Sequence, residues 1–515
     1  MNGADALCET LLANDVNVCF ANPGTSEMHF VAALDRQPAM RCILGLFEGV
    51  VSGAADGYGR MTGKPAATLM HTGPGLANGL ANLHNARRAG APIVNIVGDH
   101  ASFHLQFDPP LASDIESLAR PVSRWVGRAS GSADIAPMAE KAVLAAHATS
   151  SVATLILPAD AAWGGVEPAA SHAVVIPPRP QVPPERIRAI ATALRLHCGR
   201  FGVVVAGDAA VNPGLEIAAG IALALGGEVF SEVIPGRVAR GRGTHPVRRI
   251  PYFIDQATAS LAGFDLLVLI GAPEPVAFFA YPGKPSRLVQ PRTEVLTLAT
   301  RDEDILQALA ALAEHIEAPK RSALRSDPIA LELPTGALTD DAISIVLAQL
   351  MPENAILCDE GITSSRRLFE LAARGSPHDY LMTAGGAIGN GIPMALGAAI
   401  ACPDRKIINL QADGSGMYTL QGLWTMARES ADVLIVIFAN RRYAILEIEM
   451  ANLGVNEIGR NAGAMMSLGN PDLDWVMLAR GMGVEAARTD TCERFADLVG
   501  SSLRRRGPFL IECVI

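Results

Sequence analysis

The stretch KIINLQADGSGMYTLQGLWTMARESADVLIVIFANRRYAIL, residues 406–446, decides the fold. Residues 406–411 are a short isoleucine-rich apolar run and read as a buried strand, and residues 433–438 (VLIVIF) repeat that signature. Between them, residues 417–428 space their apolar side chains as a helix does. Strand, helix and strand in this order make a right-handed βαβ unit with parallel strands. Ligands of such sheets collect beyond the carboxyl ends of the strands. Asp413-Gly414-Ser415 and Asn440, 27 residues apart, both fall there. A carboxylate and an amide oxygen at one edge suit a hard cation such as Mg²⁺, which takes few protein oxygens and shares phosphate oxygens. Gly414 and the Ser415 hydroxyl, at a helix N-terminus, suit the phosphate itself. The expectation is a site for a metal-bound diphosphate.

The same alternation runs through the whole chain. CILGLF, AATLMHTG, PIVNIVGD and SVATLILPA read as strands in the first block, FGVVVAGD, GGEVFSE, DLLVLIGA and EVLTLAT in the second, and AILCDE, KIINLQAD, VLIVIFAN and FLIECVI in the third. All-apolar strands are buried on both faces, which means parallel sheets covered by helices. The expected fold is therefore α/β, three doubly wound parallel-sheet domains. VEPAASHAVVIPPRPQVPPER (166–186) carries six prolines and is expected to be irregular. A second break near 316–336 contains Pro319, Pro328 and Pro334. The predicted division is an N-terminal domain over 1–165, a linker over 166–186, a middle domain over 187–318 and a C-terminal domain over 336–515.

Composition narrows the function. The chain has 515 residues, a net charge of −10 and only 18% charged residues, so it has the make-up of a compact enzyme, and a nucleic-acid partner is not expected. PGRVARGRGTHPVRR, with Arg237, Arg240, Arg242, Arg248 and Arg249, is the one basic cluster and reads as a solvated or subunit-contact loop. The eight cysteines are scattered with no C-x-x-C pair, which fits a reducing cytoplasm. The N-terminus has no signal-peptide pattern, and no apolar run reaches the ~18 residues of a membrane span.

Three further segments offer reactive groups. Glu48 follows an apolar strand at the start of a small-residue helix (EGVVSGAADGYGR). It fits either a carboxylate favoured by the helix dipole or one in apolar surroundings, with a raised pKa, that shares a proton with a ring nitrogen. His71, in MHTGPGLANG (70–79), ends another strand and is placed for acid–base work, and the glycine spacing there does not match a dinucleotide fingerprint. Thr25, in FANPGTSE (20–27), ends a strand near Val18–Phe20 and also fits a helix N-cap with Glu27 in the first turn. His100 and His104 have metal-pair spacing but lack a third ligand, so a metal is not expected on them.

Taken together these segments resemble the thiamine diphosphate enzymes of the 2-oxo acid decarboxylase and acetolactate synthase superfamily, over essentially the whole chain. Asp413-Gly414-Ser415…Asn440 matches the family's cofactor signature in spacing, with Ala412 where the family usually has glycine. The resemblance implies thiamine diphosphate and Mg²⁺ as cofactors. By the same resemblance Asp413, Asn440 and the carbonyl of Arg442 hold the metal on the diphosphate, beside Gly414, Ser415 and Tyr443. Glu48 matches the glutamate that hydrogen-bonds the aminopyrimidine. In TAGGAIGNGIP (383–393), Gly386 would offer a carbonyl to the pyrimidine amino group, and Ile388 would be the apolar wedge that bends the cofactor. The implied reaction is decarboxylation of a small 2-oxo acid to a cofactor-bound enamine. That enamine is then protonated or passed to an aldehyde or 2-oxo acid acceptor. The implied assembly is at least a homodimer, with a homotetramer as the usual form and each site shared between chains.

The branch within the superfamily is less defined. Thr25 and His71 match the serine and histidine of benzoylformate decarboxylases that face the substrate, and typical acetolactate synthases lack that histidine. Benzoylformate decarboxylases take a second histidine from the middle domain, where GAPEPVAFFAYPG (271–283) has Phe278 instead. A missing proton relay favours carboligation, and the bulk of Ile445 disfavours large aromatic substrates. An acetolactate synthase-like carboligase and a simple benzoylformate-type decarboxylase are the two leading readings. A flavin-dependent pyruvate oxidase and a non-catalytic relative are the others. FGVVVAGDAAVNPG (201–214) has no phosphate fingerprint, so FAD is not expected.

Overall fold

The computed structural model describes residues 1–167, 172–319, 331–455 and 457–515. The first sheet has six parallel strands in the order β2-β1-β3-β4-β6-β5. They are β1 (Val18–Asn22), β2 (Arg41–Leu44), β3 (Ala66–Met70), β4 (Ile93–Asp99), β5 (Trp125–Arg128) and β6 (Val152–Pro158). The second sheet, in the order β10-β8-β7-β11-β12, contains β7 (Phe201–Val205), β8 (Glu228–Ser231), β10 (Arg248–Arg249), β11 (Leu266–Ile270) and β12 (Glu294–Ala299). The third is ordered β17-β18-β16-β15-β13-β14-β9. It takes β9 (Arg237–Arg240) from the middle of the chain and adds β13 (Ala355–Glu360), β14 (His378–Met382), β15 (Ile407–Ala412), β16 (Val433–Ala439), β17 (Glu485–Thr489) and β18 (Phe509–Val514).

The α/β reading with three mostly parallel, helix-flanked sheets holds. Its cause is visible in the strands themselves: β3, β4, β6, β11, β13 and β16 are buried at every position, as helices on both faces require. The helix Glu48–Thr62 lies between the first and third sheets and packs on the helix Gly391–Ala401. The approach is so close that a Cβ on Gly397 would stand 1.8 Å from the Ala54 carbonyl oxygen. Small residues on both helices are what permit this crossing.

Three local expectations are corrected. The arginine-rich stretch is not a solvated loop, because Arg237–Arg240 form β9, antiparallel to β14. Arg240 is only 3% exposed, with its guanidinium 3.7 Å from the Phe369 ring centre and bonded to the carbonyls of Val247 and Phe369. A planar guanidinium can stack on an aromatic ring and satisfy several carbonyls at once. Pro184 opens the helix Pro184–Leu196, where its fixed φ and missing N–H are tolerated, so residues 184–186 are regular after all. The helix after Asp413 is a single turn, Asp413–Gly416, and the next begins only at Gly422. The intervening Thr419 is tied to the Gly389 carbonyl at 2.9 Å. Parts of both proline-rich breaks, residues 168–171 and 320–330, lie outside the described residues.

Candidate active site

β15 delivers Asp413 to the carboxyl edge of the third sheet, and the chain turns there into its short helix. Asp413 is 2% exposed. Its carboxylate accepts the amides of Arg441 at 2.7 Å and Gly414 at 2.8 Å, and among the described residues it has no ion-pair partner. Burial pushes its pKa up to about 6, while the two amides pull the other way. From the next strand, β16, Asn440 follows, its side-chain oxygen accepting the Arg442 amide at 3.2 Å. The Tyr443 ring covers Gly414 so closely that a Cβ there would stand 2.5 Å from it. The Ser415 hydroxyl accepts from the Gln411 amide at 2.6 Å. A buried carboxylate with no ion-pair partner among the described residues, an amide oxygen from the neighbouring strand and the Arg442 backbone carbonyl make an all-oxygen donor set of the kind Mg²⁺ takes.

The segment 383–391 runs beside this edge. Gly386 has φ +76°, and a Cβ on it would meet the Phe278 ring at 2.4 Å, so both backbone and space demand glycine. Ile388 is half-buried. The loop is held by Glu360, which the sequence reading missed. This buried carboxylate, at the end of β13, accepts the amides of Gly389 (2.8 Å), Asn390 (3.2 Å) and Gly391 (2.8 Å) and the Gln411 side chain (2.8 Å). Burial pushes its pKa up, against the pull of those donors. The signal that marks Asp413, an acid at the carboxyl end of an apolar strand, was equally present in AILCDE. On the other side, Asn82 and Asn85 of the helix Thr72–Ala89 bond the carbonyls of Gly389 (3.1 Å) and Ala387 (2.8 Å).

Glu48 is the first residue of its helix and is 6% exposed. Its carboxylate accepts from the Asn78 side chain at 3.0 Å. A Cβ on Gly75 would stand 3.1 Å from the same carboxylate, which keeps that position small.

Thr25 and His71 come together beyond the ends of β1 and β3, where with Ser26, His100, His104 and Leu111 they line a cavity of about 290 Å³. Thr25 is not the N-cap. Gly24 holds that place, and Glu27 closes the turn by accepting the Gly24 amide at 2.8 Å. Glu27 is 2% exposed and lies 2.9 Å from His71 Nδ1, with Ser26 Oγ 3.1 Å from the same nitrogen. A carboxylate behind a histidine sets its tautomer and orientation. His100 and His104 sit edge to face with ring centres 6.0 Å apart, and no three-residue metal cluster of His, Cys, Asp or Glu is formed among the described residues. Within the chain, Thr25, His71 and Glu48 form one group on the first sheet, and Asp413, Gly414, Ser415, Asn440, Arg442 and Tyr443 form another on the third. Among the described residues no hydrogen bond joins Glu48 to the second group.

Comparison with known proteins places both groups in matched regions. Residues 1–114 match the thiamine pyrophosphate enzyme N-terminal TPP binding domain, and residues 362–513 match the corresponding C-terminal TPP binding domain. A Mycobacterium tuberculosis protein carried as a candidate acetolactate synthase large subunit, IlvX, is 48% identical over 100% of this chain and 99% of its own. A benzoylformate decarboxylase of Pseudomonas aeruginosa is 29% identical over 98% of this chain and 97% of its own. Among solved structures, the thiamine diphosphate-dependent 4-hydroxybenzoylformate decarboxylase of Rhodococcus jostii RHA1 shares the fold. It has a TM-score of 0.86 and 23% identity, covering 100% of this chain and 99% of that one.

Proposed function

This chain belongs to the thiamine pyrophosphate enzymes, and on that premise we propose that it uses thiamine diphosphate and Mg²⁺ to decarboxylate a small 2-oxo acid and transfer the remaining acyl unit to an acceptor carbonyl. The observation that carries the cofactor assignment is Asp413, a buried carboxylate with amide partners and no ion-pair partner among the described residues, one strand away from Asn440. In this reading Asp413, Asn440 and the Arg442 carbonyl hold Mg²⁺, while Gly414 and Ser415 receive the diphosphate beside Tyr443. Gly386 would offer its carbonyl to the pyrimidine amino group, and Ile388 would give the cofactor an apolar support. Glu48, kept in place by Asn78, shares a proton with the pyrimidine ring nitrogen. When bound, the cofactor supplies the electron sink for loss of CO₂, and the protein supplies orientation and electrostatics.

Thr25 and His71 face the substrate in this proposal, with Glu27 setting the His71 ring. Phe278, which packs on Gly386, offers no proton where a second histidine would, and this supports transfer over simple protonation. The high identity to the M. tuberculosis relative supports the same branch. A benzoylformate-type decarboxylase is the second reading, supported by the Thr25–His71 cavity. We further infer a cytoplasmic homodimer or homotetramer, in which Glu48 of one chain completes the Asp413 site of another. No helix among the described residues is long and apolar enough to cross a membrane.

Incubation with a panel of 2-oxo acids, with and without an acceptor aldehyde or second 2-oxo acid, separates the readings. Carboligation gives CO₂ and a hydroxyketone or acetohydroxy acid. Simple decarboxylation gives CO₂ and free aldehyde in equal amounts. No CO₂ from any acid, in protein that binds the cofactor, would overturn both.

A further inference from the structure

A second cleft, of about 760 Å³, lies between the middle of the chain and the third sheet, lined by Arg240, Arg249, Arg366 and Arg374 with Tyr252 and Phe253. None of these four arginines forms an ion pair among the described residues. Arg248 also borders the cleft but is already bound to Glu228. Glu370 is the one carboxylate on the lining. Arg240 is 3% exposed, and its Nε is buried with no partner. Arg366 stacks on Phe253, 4.6 Å from the ring centre, and Arg249 on Phe369 at 5.0 Å.

Such an arrangement is costly for the protein alone. Burial holds the Arg240 guanidinium down to about 9, and Arg366 is also lowered, by burial first and then by the charge of Arg249. The cleft thus gathers four guanidinium groups beside the Tyr252 and Phe253 rings. Guanidinium groups in this setting recognise planar or tetrahedral oxyanions by paired, charge-assisted hydrogen bonds. The cleft lies apart from Asp413 and Asn440, and no residue assigned to the cofactor lines it.

We propose that this arginine-lined cleft is a binding site for a small phosphorylated anion, separate from the diphosphate site of the cofactor. The test titrates ADP and, separately, inorganic pyrophosphate into protein already saturated with thiamine diphosphate and Mg²⁺, followed by calorimetry. The expected result is one further binding event per chain for at least one probe. Arg366→Gln and Arg374→Gln should each weaken it by about tenfold or more, with thiamine diphosphate affinity unchanged. Arg374 is exposed, so its substitution keeps the test valid even where Arg366→Gln folds poorly. Absence of binding by both probes, or binding that neither substitution weakens, overturns the proposal. So does a shift in sedimentation on Arg374→Gln without any anion binding, since the arginines would then serve a contact between chains.

Discussion

Arg60 and Asp56, one turn apart on the helix Glu48–Thr62, form an ion pair with side chains only 2% and 0% exposed. Asn390 donates to the same Asp56 carboxylate at 3.0 Å, and Arg60 reaches the carbonyls of Met382 and Gly236. One pair therefore ties the helix that carries Glu48 to the third sheet and to the residue preceding β9. Arg60→Met should cost about 3–5 kcal/mol, because it strands a buried carboxylate. Urea denaturation measures this, and a loss below about 1 kcal/mol would show that the pair contributes little.

Asp413→Asn removes the charge proposed to hold Mg²⁺ while keeping the shape. Thiamine diphosphate affinity in the presence of Mg²⁺ should fall by about 100-fold or more, with the far-ultraviolet circular dichroism unchanged. Cofactor binding at wild-type strength would remove Asp413 from the metal site.

Glu48→Gln should lower turnover by about 10²–10⁴-fold, the range of a lost general acid–base group. Cofactor binding and folding should be largely intact, since the amide still meets Asn78. Retained turnover would end the proton-sharing role.

His71→Ala should slow turnover by about 10²–10⁴-fold with little change in cofactor affinity. Glu27→Gln should reproduce part of that loss, because Glu27 orients the ring. A Glu27→Gln enzyme with wild-type rate would reduce Glu27 to a turn-closing residue.

His378, buried on β14, has its pKa lowered to about 4, chiefly by burial, against 6.5 for an ordinary histidine. The unfolded chain therefore takes up a proton between these values while the folded chain does not. Stability is full above pH 6.5 and is lost as pH falls toward 4, by up to about 3 kcal/mol from this one group. His378→Gln should flatten that slope in denaturation curves recorded at pH 7 and pH 5. An unchanged slope would assign the acid sensitivity elsewhere.

The legibility of the chain follows its hydrophobicity. Strands such as β4 and β16 are buried at every position and announce themselves, and so do the acids and amides that stand at their ends. β5 (WVGR), β9 (RVAR), β14 (HDYLM) and β17 (EAART) carry charge or polar groups and lack a continuous apolar run, so pairing alone makes them strands. Glu27 and Glu360 escaped for another reason. Glu27 accepts the Gly24 amide within its own turn and meets His71 from 44 residues away, while Glu360 stands at a strand end as Asp413 does, but its partners lie 23 to 51 residues away in the chain. Proximity of that kind is a property of the folded chain.

The antiparallel seating of β9 on β14 also bears on how the protein is made. Without residues 237–240, β14 would present a bare row of amides and carbonyls, the kind of border that recruits other chains into aggregates. Because β9 precedes β14 in the sequence, a ribosome releases the protective strand first, and the border has its cover waiting when it emerges. A fragment starting at residue 336 would have no such cover. It should be sticky and short-lived, even though it contains Asp413 and Asn440.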